Sequence, residues 1–470
     1  MCFLLEYVGN WQVPEKTNNE KQQMVTQLLE NEIRLIHPED YSLLKNHLRN
    51  FNNDIDGALG HFIDLQLARK KAKNIRYRSI ENMGYHLETF EKNARKNRTS
   101  VYWAKDGQGA VEKVLNLLSK TNSKSIYKSN APELNELQLA EILTKKNKDF
   151  NYINVSEYIS KLLNENAAHP VHKLIGVPEE KVRRIIKEHL QVNGDFTDHQ
   201  LIEKVNDKLR AFPEFPSVGI SGADFLVAEN GAMVCADNEG CSNWISSCVS
   251  IHIVVAGIDR IIPTMKDLDA IMPLHTAFHH GSKNSRITNI INGPGKPKEA
   301  YGPTQIHLIL LDNGRSDILK HTEWREMLYD LDAMSFLNSC VNYQSINKNN
   351  YHPHLLGPIG TVMSPLLYNE ETYGHLSFLH HEFDNRVSNP YLLNMQKMLL
   401  STRSYLMQEQ KLVEEPIVPE VVEAIKSRDK MNNLKTDSRF QRALKKFTGW
   451  FTDFPFSKKT FNEWWKEKRG

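Results

Sequence analysis

Three swings between strand-type and helical patterning within residues 101–163 constrain the fold of this chain more than any other feature. VYWA at 101–104 is short and apolar, and EKVLNLLSK at 112–120 repeats its apolar positions at helical spacing. SIYKS at 125–129 precedes helical ELNELQLAEILTKK at 133–146, and FNYINV at 150–155 leads into SEYISKLL at 156–163. Strands that alternate with helices predict a parallel sheet of the α/β class. FLVAE, AMVCAD, HIVVAGI and IHLILLD add further short strands separated by Gly, Asn and Pro.

Around this α/β domain, placed at 76–315, the pattern changes. Residues 1–75 are polar and helical, with MVTQLLENEIRLI and YSLLKNHLRNF repeating near 3.6 residues. Ile80, Met83, Leu87 and Phe90 form one helical stripe, read as core packing. Residues 168–212 read as largely helical. Residues 316–412 carry short helical pieces between polar loops. Residues 413–470 form a tail whose aromatics are read as docking it onto the body.

The 470 residues are 40% hydrophobic and 25% charged, an ordinary globular balance. Lys plus Arg is 59 against 57 for Asp plus Glu, a net charge of +2 that offers no broad electrostatic footprint for nucleic acid. No apolar run reaches the ~18 residues of a spanning helix, and MCFLLEYV lacks the basic lead of a signal peptide. Five scattered cysteines (Cys2, Cys235, Cys241, Cys248 and Cys340) do not suggest a disulfide framework, so a reducing, cytoplasmic setting is expected.

Glycines punctuate the apolar runs of 218–264, where tight turns at strand ends would let a backbone approach a ligand. Candidate ligand-binding residues there are Gly219, Ser221, Gly222, Glu229, Asn230, Gly231, Asn238, Glu239 and Gly240. Arg315, after IHLILLDNG, offers a planar fork to a carboxylate or phosphate, or braces the domain through a buried ion pair. His252, inside a strand run, reads more readily as a hydrogen-bonded core histidine.

The blocks VGISGADFLVAENGAMVCADNEGCSNWISSCVSIHIVVAGIDRIIPT at 218–264, NGPG at 292–295, GPTQIHLILLDNGR at 302–315 and GPIGTVMSPLL at 357–367 together resemble the lactate utilisation protein B family. The resemblance implies a LUD domain of NagB/RpiA/CoA-transferase-like fold, followed by a ferredoxin-like region with two iron–sulfur clusters. It also implies a part in oxidising lactate to pyruvate beside sister subunits, with a small carboxylate or nucleotide-like ligand in the crevice. The family resemblance adds Lys128, Ser129 and His252 to the candidate ligand-binding residues. Class I CoA transferases share that fold and use a Glu in a similar turn as nucleophile. This makes Glu229 a candidate catalytic residue, with a turn-capping role as the alternative.

The family's cluster-binding cysteines are largely missing. The first cysteine run aligns with Asp330, Ala333, Phe336 and Cys340, and the second with His380, Phe383 and Val387. Ala, Phe and Val cannot donate to iron, so no cluster and no other cofactor is expected. Asp330, Cys340 and His380 remain the weak candidates for another metal. Three readings follow: a cluster-less paralogue that binds a partner or ligand, a subunit of a lactate-oxidising complex whose redox centres lie on other chains, and a cofactor-free acyl transferase using Glu229.

Overall fold

The computed structural model describes residues 38–164, 169, 172–211, 213–296, 299, 302–338, 357–367, 377, 389–408 and 465. The chain divides into one unit of residues 35–402 and another of 1–34 with 403–470. The predicted strands of the larger unit form, and they sort into two sheets. The first contains β1 (Ser100–Ala104), β2 (Ser125–Lys128), β3 (Asn151–Tyr152), β4 (Ser217–Ser221), β7 (Ile251–Gly257) and β10 (Gln305–Leu311). Its order is β1-β10-β7-β4-β2-β3 with every pair parallel, as the alternation predicts.

One face of this sheet carries Ile126, Val218, Ile220, Ile253, Val255, Ile309 and Leu311. It packs against α4 (Gly107–Thr121), α5 (Pro132–Glu136) and α6 (Leu139–Lys145) through Val114, Leu118, Leu134, Leu139 and Leu143. The helix predicted over 133–146 breaks at Gln138, whose φ is 49°. On the other face, α10 (Cys241–Cys248) lies so close to β4 that a Cβ at Gly219 would fall on the Ile245 side chain. Between β3 and β4, α7 (Val155–Leu162), α8 (Glu179–Leu190) and α9 (Asp198–Leu209) enclose their own cluster around Ile159, Ile186, Leu201 and Val205.

The second sheet has the order β8-β5-β6-β9, from β5 (Phe225–Val227), β6 (Ala232–Asp237), β8 (Ile261–Ile262) and β9 (Ile287–Ile291). FLVAE and AMVCAD thus pair with each other as an antiparallel hairpin instead of extending the parallel sheet. Apolar runs encode a strand but not which sheet it joins. α11 (Met265–His280) follows β8.

The described part of the amino-terminal segment is helical as expected, with α1 (Pro38–Leu59), α2 (Leu65–Glu81) and α3 (Met83–Lys96), while MVTQLLENEIRLI lies outside the described residues. Asn82 separates α2 from α3, yet Ile80, Met83, Leu87 and Phe90 are all buried. Arg76 on α2 is fully buried. It donates to the carbonyls of Asp259 (2.6 Å), Ile261 (3.0 Å), Leu328 (2.6 Å) and Tyr329 (3.1 Å). The described parts of 316–402 contain helices only: α12 (Arg315–Lys320), a 3₁₀ turn at Arg325–Tyr329, α13 (Met334–Asn338), α14 (Gly357–Leu367) and the start of α15 (Met395–Gln408). Among the described residues, no helix is long and apolar enough to cross a membrane.

Candidate functional site

Parallel strands place their carboxyl-terminal ends at one edge of the sheet, the usual ligand crevice of open α/β folds. Here that edge gathers buried charge. Lys128 ends β2, Arg260 follows β7 and Arg315 opens α12 after β10. Asn313 (φ 46°) and Gly314 (φ 87°) make the left-handed turn that brings Arg315 back over the strand ends. Gly257 is required beside it, since a Cβ there would fall on Asp259 Oδ1.

Each cation is met by carboxylates of the chain. Lys128 Nζ lies 2.7 Å from Glu157 and also donates to the Ser129 carbonyl at 3.1 Å. Arg260 donates from Nε to Glu133 at 2.7 Å and from Nη2 to Asp332. Arg315 holds Glu136 through both Nη atoms and Asp259 through Nε. The ion-pair reading of Arg315 therefore describes its contacts in this structure.

Burial dominates the proton affinities at this edge. It pushes the Glu133 carboxyl up to about 7, with Arg260 pulling the other way. Burial also lowers the Lys173 ammonium to about 8, with Glu157 resisting and Lys128 assisting. At Asp259 burial favours the neutral acid, but Arg315, Arg260 and Arg76 outweigh it and lower the carboxyl below its ordinary value.

The residues chosen from sequence fall into separate places. Lys128, Ser129, Ser221, Gly222 and Arg315 stand at or just beyond the strand ends, and Gly222 lets the chain pass where a Cβ would be 2.6 Å from that of Ala131. Ser221 Oγ and His252 Nε2 are hydrogen-bonded at 2.7 Å inside the sheet. His252 is fully buried, its Nδ1 has no hydrogen-bond partner among the described residues, and burial lowers its pKa to about 3, consistent with a core histidine. Gly219 serves helix packing.

Glu229, Asn230 and Gly231 form the tip of the β5–β6 hairpin, away from the parallel sheet, with Glu229 exposed and Gly231 buried against α3. Glu229 Oε2 accepts the Met265 N–H at 3.0 Å, at the start of α11, while Asn93 and Asn97 donate to carbonyls of the tip. Glu239 accepts the Val155 N–H at the start of α7, Asn238 accepts the Arg286 N–H, and Gly240 adopts φ 74° in the turn. Sequence reasoning passed over Arg260, Asp259, Glu133 and Asp332. Asp259-Arg260 follow HIVVAG much as Asp312–Arg315 follow IHLILL, so the signal that singled out Arg315 also pointed to Arg260.

Beyond the domain, Asp330 is half-buried. Its Oδ2 accepts the Ala333 N–H at 3.2 Å, and Oδ1 has no hydrogen-bond partner among the described residues. Burial, aided by Asp332, pushes its carboxyl up to about 7. The donor chemistry at 330, 333 and 336 does not fit a thiolate-held cluster, because Ala333 and Phe336 have no donor atom in their side chains. Cys340, His380, Phe383 and Val387 lie outside the described residues. Among the described residues no group of three or more His, Cys, Asp or Glu is placed to hold a metal ion.

The parallel sheet defines a domain of the α/β class, and residues 87–311 match the LUD domain family. The chain is a relative of the lactate utilisation B proteins, as the sequence blocks imply. It is 28% identical to "Lactate utilization protein B" of Bacillus cytotoxicus over 310 residues, covering 66% of this chain and 65% of that protein. The corresponding protein of Geobacillus thermodenitrificans is 28% identical over 321 residues, 68% of this chain and 67% of that one. That of Bacillus subtilis is 28% identical over 311 residues, 66% and 65%. The chain thus spans about two thirds of the length of the curated relatives it matches. The crystal structure of a DUF162 family protein from Deinococcus radiodurans covers 49% of this chain and 98% of its own, at 14% identity and a TM-score of 0.26.

Proposed function

We propose that this chain serves lactate utilisation in the cytoplasm as a LUD-domain subunit. In this reading it binds a small carboxylate at the carboxyl-terminal edge of its parallel sheet and relies on sister subunits for electron transfer. The observation that carries the reading is the convergence of Lys128, Arg260 and Arg315, all largely buried, on that one edge. In this reading a small anion binds by taking the place of one of the carboxylates these cations now hold, and the relatives' name supplies the metabolic setting. Asp330, Ala333 and Phe336 at the positions of the cluster thiolates support a subunit that carries no iron–sulfur cluster of its own.

The test has two parts. Anaerobically purified protein is analysed for iron and sulfide, and the expected result is neither in stoichiometric amount. Sister LUD and cluster-bearing subunits are then assayed for lactate-dependent dye reduction with and without this chain. A rate that falls when the chain is omitted supports the reading. An unchanged rate discards the role in lactate oxidation, and about four irons per chain would discard the cluster-less part.

A further inference from the structure

Arg260 differs from the other cations at the sheet edge in how its ion pairs are arranged. The Arg260 side chain is 4% exposed and the Glu133 behind it 1%, whereas Asp332 in front is 35% exposed. The network therefore runs inward from a carboxylate at the mouth, through a buried guanidinium, to a second buried carboxylate. The third nitrogen of the fork, Nη1, is buried and has no hydrogen-bond partner among the described residues. A buried guanidinium with an unused donor is costly unless something completes it.

The outer carboxylate is held in an unusual way. Asp332 has φ 58°, in the left-handed region that residues with a Cβ rarely enter. Its carbonyl accepts from His279 Nδ1 at 2.8 Å, which pins the backbone while the side chain reaches Arg260. Glu133, by contrast, sits on α5 beneath the loop that Gly222 keeps narrow.

We propose that Arg260 is the carboxylate-recognition residue of the crevice, and that Asp332 is an internal carboxylate occupying the place of a small monocarboxylate ligand. This rests on the crevice reading above and assigns it an anchor. A ligand carboxylate would replace Asp332 on Nη2 and reach toward Nη1, using the paired donors of the fork. Asp332 would swing outward, toward the solvent it already touches.

The experiment is calorimetric titration of the full-length protein with sodium acetate and with L-lactate in a low-chloride buffer. Asp332→Ala and Asp332→Asn should tighten acetate binding about tenfold or more, equivalent to ~1.4 kcal/mol. Arg260→Met should abolish binding, and Arg260→Lys should weaken it because one ammonium cannot replace the fork. The Asp332 variants change a partly exposed side chain, so they carry the test even if Arg260→Met fails to fold. Unchanged acetate affinity in both Asp332 variants overturns the proposal. If Lys128→Gln abolishes lactate binding while the Asp332 and Arg260→Lys variants do not alter it, this anchor is wrong and the crevice reading stands. If lactate and acetate bind none of the proteins, both fail.

Discussion

Arg315 holds the two carboxylate oxygens of Glu136 at 3.0 and 2.8 Å while its Nε reaches Asp259 at 2.6 Å. One guanidinium thus ties α5 to the loop after β7 and to the start of α12. Its charge is maintained against burial by Glu136 and Asp259 together, which raise its pKa well above the ordinary value.

Replacing Arg315 with Met strands two buried carboxylates. The expected loss is about 3–5 kcal/mol, the range for breaking a buried pair from one side. Arg315→Lys keeps a charge but loses the fork and should fall between Met and the parent. Urea unfolding measures both, and a loss below about 1 kcal/mol for Met would show that the pair braces nothing.

Acid should unfold the protein from near neutrality downward. His252, His279 and His280 are lowered to about 3, in each case chiefly by burial, with neighbouring histidines adding to the effect at 279 and 280. Their folded pKa lies below the unfolded value near 6.5, so the unfolded chain binds protons that the folded chain refuses. The stability they contribute is present above pH ~6.5 and is lost as pH falls toward ~3, by up to about 1.4 kcal/mol per pH unit for each histidine. Glu133, raised to about 7, acts with the opposite sign and loses stability as pH rises through that value. Comparing His252→Gln with the parent from pH 7 to 4.5 cancels the Glu133 contribution. The variant should show the shallower slope, and parallel slopes would refute the assignment.

Two glycines should respond in opposite directions. Gly231 has φ 73°, and an added Cβ would fall on the backbone of Asn93 and Ala94. Gly231→Ala should cost roughly 2 kcal/mol or more through strain and clash. Gly57 lies exposed in α1 with nothing within 4 Å of an added Cβ. Gly57→Ala should gain about 0.5–1 kcal/mol. Thermal melts of the pair test both, and a stabilised Gly231→Ala would show that the hairpin tip does not need its glycine.

Glu229→Ala should cost about 0.5–2 kcal/mol, as for a lost helix cap, while Glu229→Gln keeps an accepting oxygen for Met265 and should stay closer to the parent. Treatment with acyl-CoA followed by mass analysis reads the other role. A thioester or anhydride adduct lost in Glu229→Gln would make it a nucleophile.

The parallel sheet was legible because each strand before residue 163 is followed by a helix with its own period, and the periods of 2 and 3.6 are not easily confused. The stripe Ile80, Met83, Leu87, Phe90 was legible for the same reason, although Asn82 splits the helix carrying it. The second sheet was hidden, because FLV and AMVCAD look the same whether they extend a sheet or fold back on each other. At the site, Arg315 stood out beside its Asn-Gly turn. Arg260 was passed over although Asp259-Arg260 follows its strand in the same way; its partners Glu133 and Asp332, like those of Arg315, lie far away in the chain, here 127 and 72 residues. Only folding brings such partners together.

The four carbonyls that Arg76 gathers belong to two stretches, 259–261 and 328–329, and Arg76 itself precedes the LUD match that begins at 87. Family likeness therefore draws a smaller boundary than the one the fold respects. A fragment cut at 87 and 311 would keep 259–261 but lose the central rivet and the 328–329 end it fastens, so the autonomous piece of this protein has to include α2 and the turn after α12.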